Sequence, residues 1–417
     1  MRRRKTHSIV SFEVYFARRT KYSKKITDNK TRASFMWMPL AEGGVMEMQH
    51  LNERDLKVGE PIPWNVYDRN GQLLLHAGVV IESTHQVAEL KERGLFVNTS
   101  DWEVGGGTVA AKEKISAFML LDELHENMER LFGHISVDDS LVEKTLKIVK
   151  IIQQACEVDE EVAIASIFIG RDGRYPVVHP IQVGVLCEIV AKHFGRPAEE
   201  RQMLVAAAIT MNVSMVNLQT KLHVQKELLS EAQRQELRNH PQASFDLLKQ
   251  KGVTDPTWLN AVLQHHEKAD GSGYAQGLSG GAISPAARLI TLADVYCALV
   301  TARIHRPAML PNVAMREVFL QRGKQVDPVM TDQFVKVVGI YPPGTFLRLM
   351  NGEIAIVTRH GKSSALPIVQ SVAGARGAPL SVYIKRDCSN EKYAIREVIS
   401  KDEACIKVNR YALWGHQ

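Results

Sequence analysis

Cysteine is scarce and unpatterned. Cys156, Cys187, Cys297, Cys388 and Cys405 are odd in number, scattered over 417 residues, and never spaced as C-x-x-C. That argues against a disulfide framework and against a zinc ribbon, and predicts reduced, mostly buried thiols. Long apolar runs are missing too. No stretch approaches the roughly 18 uninterrupted apolar residues of a membrane span, and the first residues lack the apolar core and small-residue cleavage site of a secretory signal. The expectation is a cytoplasmic protein with no integral membrane segment. A basic surface is also lacking over most of the chain. Residues 1–45 hold eleven Lys and Arg against three acids, a net +8, which leaves −2 for the remainder of a chain whose formal charge is +6. A slightly acidic body argues against a nucleic-acid groove, and the basic segment 1–45 is expected to be a disordered leader. Met36, Met38, Met46 and Met48 allow a later start of translation, which native peptides from residues 1–35 would exclude.

What is present is domain-sized patterning. With 45% apolar and 24% charged residues the chain can bury at least one sizeable core. Residues 46–104 read as a small β-rich accessory module. Asn70-Gly71 lies between apolar runs, the strongest short hairpin signal, and Ser83 and Thr84 can cap a helix to about Arg93, stopped by Gly94 before a short strand at Leu95 to Val97. Gly105-Gly-Gly107 marks a joint, and 105–139 is expected as a helical linker. Residues 113–170 predict two amphipathic helices with Leu120, Leu121, Leu124, Met128 and Leu131 on one face, a stripe that serves as core or as a homodimer seam.

Residues 140–345 are dominated by helix signals. Ser230 with Gln233 forms a capping box ahead of His240. Asp255-Pro256 opens a helix reaching His265 and His266, and Ser284-Pro285 opens one containing Asp294. Runs at Phe346 to Met350, Glu353 to Thr358 and Leu380 to Ile384 predict a β-rich C-terminal appendage over 346–417. The fold class expected is mainly α, a helical bundle with small β modules before and after it.

Two neighbouring histidines on the inner stripe of one helix, followed by Glu267, Asp270 and the turn Gly271-Ser-Gly273, point to a metal or phosphate site. Asp294 is a lone carboxylate on a face otherwise made by Ile290, Cys297 and Ala298, and a buried carboxylate normally has a cation, a metal or N–H groups as partner.

The stretches His265-His-Glu-Lys-Ala-Asp270-Gly-Ser-Gly-Tyr274, Ala287-Arg-Leu-Ile-Thr-Leu-Ala-Asp294, Arg303-Ile-His-Arg306-Pro, Asp327-Pro328 and Gly339-Ile-Tyr-Pro-Pro-Gly-Thr345 resemble, in order and spacing, an HD-GYP domain. The resemblance covers roughly residues 140–370. It implies an HD-superfamily helical bundle that binds divalent metal (Fe, Mn or Zn) and opens cyclic di-GMP in bacterial signalling. It further implies His179, His240, His265, His266 and Asp294 as metal ligands, Arg303 and Arg306 beside the substrate phosphates, and Gly273 and Tyr274 in the signature turn.

The chain departs from that family where its defining step reads Ala-Leu-Leu-His-Asp-Ile-Gly-Lys. Here Met211 stands for the histidine, Asn212 for the metal-bridging aspartate, Ser214 for the glycine and Met215 for the lysine. A thioether is a poor ligand for such cations and a neutral amide cannot offset their charge. Tyr175 stands where three-metal members carry glutamate, Ala275 replaces the signature proline, and Pro180 after His179 predicts a helix that begins there. The expectation is therefore a catalytically impaired member acting as a cyclic di-GMP receptor or as a docking module for a signalling protein. The alternative is a weak or altered metal-dependent phosphodiesterase using one ion at His240, His265 and His266.

Overall fold

The computed structural model describes residues 35–39, 45–50 and 56–415, apart from residues 63, 69–72, 77, 94, 95, 99–115, 136–139, 171, 304, 305 and 364. The leader as far as residue 34, the Asn70-Gly71 turn, the Gly94 stop and the Gly105–Gly107 joint lie outside the described residues. Two compact units divide the chain, Met1–Lys112 and Glu113–Gln417.

In the first unit a five-stranded sheet runs in the order Phe35–Pro39, Val45–His50, Phe96–Asn98, Val66–Tyr67, Leu73–Leu75. The leader expected to extend to residue 45 thus gives way to a strand at Phe35, which pairs antiparallel with Val45–His50. Val66 opposes Leu75 and Tyr67 opposes Leu73, the antiparallel strands expected around Asn70-Gly71. Helix Thr84–Arg93 opens where Ser83 Oγ accepts from Gln86 N at 3.2 Å. Val66, Ile81 and Val97 form a small core with Leu56, Ile62 and Leu90.

The second unit begins with three helices where two were expected: Ala117–Gly133, Leu141–Val158 and Glu160–Ile169. Asp159 explains the miss. It ends one helix and, in extended conformation, caps the next by accepting from the N–H groups of Glu161 and Val162, so a single residue separates them. Glu160–Ile169 is buried on nearly every side and so carries no polar stripe to be read. The stripe Leu121, Leu124, Met128 and Leu131 is buried in the chain's own core, which leaves it no face for a second copy.

Helices Tyr175–His193, Ala198–Thr210, Val216–Val224 and Glu231–Gln250 follow, then Pro256–Gln264, Pro285–Val300, Pro311–Leu320 and Pro328–Val338. The Ser230–Gln233 capping box is present in full. Asp255, Ser284 and Asp327 each accept a backbone N–H in the first turn behind a leading proline. Helix Tyr175–His193 starts five residues before Pro180 rather than at it. The proline falls early enough that the N–H it lacks would have bonded Pro176, inside the first turns. Residues Ala198–Val224 are long and apolar enough to cross a membrane by composition, but 67% of the apolar 18-residue window within them is buried inside the protein, as in a core helix.

The chain closes on a second sheet, in the order Ile395–Ile399, Phe346–Leu349, Ile354–Arg359, Ile368–Ala373, Pro379–Asp387. Arg359 forks onto both oxygens of Asp159 at 2.6 Å each, and His360 Nδ1 lies 2.9 Å from Glu161 Oε1. Trp414 meets Phe118 edge-on, with centroids 5.5 Å apart, and Arg410 pairs with Asp122. The architecture is mainly α with small β modules at both ends, as expected.

Candidate metal and nucleotide site

Three histidines converge. The ligand nitrogens of His240, His265 and His266 all lie within 4.8 Å of one another. Backbone geometry sets two of them. Pro241 sits inside helix Glu231–Gln250 and cannot donate to the Leu237 carbonyl four residues back. That carbonyl is taken instead by Nδ1 of His240, at 2.6 Å. His265 follows the last residue of helix Pro256–Gln264, where carbonyls lack helical partners, and its Nδ1 meets Val262 O, also at 2.6 Å. A carbonyl only accepts, so both Nδ1 atoms carry the proton and both Nε2 atoms present lone pairs. Those two Nε2 atoms are 3.1 Å apart.

Two lone pairs at that distance repel unless a proton or a cation lies between them. Burial disfavours the proton: it holds His265 well below the usual imidazole range, pushes His266 down to about 3, and lowers His240 as well. Around a single zinc-sized ion, nitrogens at ~2.1 Å stand ~3.4 Å apart, so His240 and His265 are already placed, with the His266 nitrogen within 4.8 Å of both. The three residues fit one transition-metal ion, and the backbone carbonyls behind them orient the rings as outer partners of ligand histidines do. Thr291 Oγ donates toward His265 O at 2.7 Å and ties helix Pro285–Val300 to the cluster.

The other two expected ligands form a separate pair. His179 Nε2 lies 2.7 Å from Asp294 Oδ1. Burial pushes the Asp294 carboxyl up, but the His179 hydrogen bond, with the histidines around it, outweighs that and leaves the group below its ordinary range. The hydrogen-bond partner of Asp294 is thus His179, outside the triad. Tyr175 stacks on His179, with centroids 4.8 Å apart at 18°, and its other neighbour is His223, at 5.2 Å and 12°. Burial raises the Tyr175 phenol to about 12.

The substituted step is built into the core. Met211 and Met215 are buried, and Asn212 is 6% exposed with no partner for Oδ1. Ser214 Oγ reaches His240 O at 3.2 Å and Ser244 Oγ at 2.9 Å, contacts a glycine could not make. Met215 therefore contributes packing where a lysine would contribute charge.

Of the phosphate-binding candidates, Arg303 donates to Tyr175 Oη at 3.2 Å, and Arg306 donates to the carbonyls of Ala298 and Leu299 at the end of helix Pro285–Val300. Gly273 is required by space, since a Cβ there would lie 2.5 Å from the Glu267 Cα and the Lys268 N. Tyr274 stacks on His266 at 4.9 Å. Buried Glu267 shapes the whole signature loop by accepting from the N–H groups of Gln276, Gly277 and Leu278 at 2.6, 3.0 and 3.0 Å. Sequence reasoning missed the ring stack of Tyr175 and His223. The His-Pro pair at 240–241 was the available signal for ring orientation.

Residues 158–330 match the HD domain family. The chain is 35% identical over 141 residues to a cyclic di-GMP phosphodiesterase of Pseudomonas aeruginosa, covering 34% of each protein. It is 31% identical over 150 residues to a cyclic di-GMP phosphodiesterase response regulator of Xanthomonas campestris pv. campestris, covering 36% of this chain and 39% of that one. Residues 158–330 are thus an HD domain, similar to those of cyclic di-GMP phosphodiesterases. A solved HDG"Y"P protein from Bdellovibrio bacteriovorus aligns over 70% of this chain and 99% of its own at 16% identity and a TM-score of 0.47. The chain spans little more than a third of the length of the two curated relatives. Within the HD domain, the cluster of potential ligands among the described residues consists of histidines, with no carboxylate.

Pro241 gives a test of how His240 is held. Pro241→Ala restores an N–H that competes for Leu237 O, so the ring loses its fixed tautomer. The expected outcome is opposite in sign for fold and site: the metal-free protein gains stability, since an interior proline costs about 3 kcal/mol, while metal affinity falls about 10- to 100-fold. Thermal melts in chelator together with metal titration measure both. Loss of stability in chelator, or unchanged affinity, contradicts the assignment.

Proposed function

We propose that this chain is a cyclic di-GMP-binding HD-GYP protein with an impaired hydrolytic centre, holding a single Fe, Mn or Zn ion through His240, His265 and His266. The observation that carries the reading is the charge of the site. Met211 and Asn212 occupy the family's His-Asp positions as buried neutral groups, and Asp294, the remaining carboxylate, is paired with His179. Two divalent ions would bring four positive charges against one carboxylate, whereas three neutral imidazoles suit one ion. When bound, that ion supplies positive charge toward a phosphodiester oxygen. His240 and His265 hold it through Nε2, and Tyr274 and Glu267 fix the loop beside it.

A second reading, an altered metal-dependent phosphohydrolase, is favoured by the convergence of the same three imidazoles. Metal analysis, cyclic di-GMP calorimetry and a hydrolysis assay with added manganese or iron separate the two. The expected result is about one ion per chain and nucleotide binding without turnover. Substantial turnover abolished by His266→Ala establishes the second reading, and absence of both binding and turnover leaves a docking module for a signalling protein. Homodimer formation is tested by light scattering on the same samples.

A further inference from the structure

We infer that Arg238 is a phosphate-binding residue for this site, the cation of a cleft that receives the phosphodiester of a cyclic dinucleotide beside the three histidines. The inference rests on the reading above and adds a residue to it.

The signature loop and helix Glu231–Gln250 enclose a cleft of about 430 Å³ lined by Arg238, Asn239, Gln242, Gly273, Tyr274 and Gly277. That volume lies within the range of small-ligand sites. Arg238 stands two residues before His240, and its guanidinium carbon is 6.0 Å from the centre of the Tyr274 ring. Tyr274 in turn stacks on His266 at 4.9 Å and 26°. Guanidinium, phenol and imidazole therefore follow one another from the cleft to the histidine cluster, and an anion bound at Arg238 lies next to whatever His266 holds.

Arg238 is exposed and makes no ion pair among the described residues. The expected phosphate residues differ in this respect. Arg306 is engaged by two carbonyls and Arg303 by the Tyr175 hydroxyl. At the position where the family has lysine, Met215 is buried and uncharged. A planar fork of N–H donors with no protein acceptor, poised over an aromatic face, suits a phosphate oxygen pair. The neighbouring amides give the cleft means to read a base edge: Gln242 Nε2 donates to Asp246 at 3.0 Å, which leaves its carbonyl oxygen as an acceptor, and Asn239 offers both groups. Asp246 accepts from Gln242, and Glu267 is occupied by three backbone N–H groups.

The test is calorimetric titration of the full chain with cyclic di-GMP, with the linear dinucleotide pGpG and with GMP, for wild type, Arg238→Ala and Arg238→Lys, with metal content measured on each. Arg238→Ala is expected to weaken cyclic di-GMP about 10- to 100-fold, the loss of one charged hydrogen-bonding group. Metal content should stay unchanged, since Arg238 touches none of the three ligands. Arg238→Lys should recover part of the loss, as a point charge without the fork. Wild type that binds cyclic di-GMP while Arg238→Ala binds within twofold of it overturns the assignment of Arg238 alone. Wild type that binds none of the three nucleotides overturns the functional reading, and the assignment with it.

Discussion

His265→Ala protein is expected to purify with less than about a tenth of an ion per chain, an affinity loss of more than ~100-fold, larger than that of losing an outer partner. His265 is fully buried, with Nδ1 fixed on Val262 O and Nε2 aimed at His240 Nε2. Removing the ring takes out one of the two donors already at coordination distance. It also leaves the Val262 carbonyl without its partner, so the metal-free variant should lose about 1–3 kcal/mol of stability. His266→Gln separates the two effects, because the His266 ring makes no backbone hydrogen bond among the described residues, unlike His265 on Val262 O. Wild type should melt lower in chelator, by the linkage between binding and folding, and His265→Ala should melt at one temperature with or without it. Equal metal content in wild type and His265→Ala, measured by mass spectrometry of the ions, removes the three-histidine site.

Restoring the family's step is expected to have the opposite effect. In Met211→His with Asn212→Asp, a buried position whose amide oxygen has no partner acquires a charge. Without metal, that carboxylate should destabilise the fold by several kcal/mol, a fall in melting temperature of roughly 5–15 °C for a unit of this size. Manganese or iron should reverse the fall and raise the content from one ion to two, since the new imidazole and carboxylate supply the ligands and negative charge a second ion needs. Hydrolysis of cyclic di-GMP should then appear, with the His179–Asp294 pair opening to admit the second ion. If the variant is as stable as wild type in chelator and takes up no further metal, the loss of that step does not explain the present chemistry of the site.

Much of this was legible in the sequence because it rested on local rules. Ser230, Asp255 and Ser284 announce their helices through caps that act within one turn, and each is found accepting the expected N–H. The histidines at 240, 265 and 266 came from spacing and resemblance and do meet in space. What escaped was set by partners distant in the chain. Helix Glu160–Ile169 is buried all round and shows no period, and its start shares Asp159 with the end of its predecessor. The strands Ile368–Ala373 and Ile395–Ile399 carry Gln, Ser, Arg and Glu among their apolar residues and are defined by pairing with neighbours. The division of the five expected ligands into a histidine triad and a His179–Asp294 pair depends on rotamers that spacing does not encode. Arg238 gave no signal because what distinguishes it, a guanidinium over the Tyr274 ring with no ion pair among the described residues, depends on a contact 36 residues away in the chain.

The meeting of Phe118 with Trp414, nearly three hundred residues later, has a consequence for biosynthesis. Emerging earlier from the ribosome, the face of helix Ala117–Gly133 that carries Phe118 stays uncovered until Trp414 has been translated. Contacts this remote in sequence close slowly and leave apolar surface open to chaperones or to aggregation meanwhile. Nascent chains halted before residue 400 would therefore display a greasy flank that the finished molecule conceals.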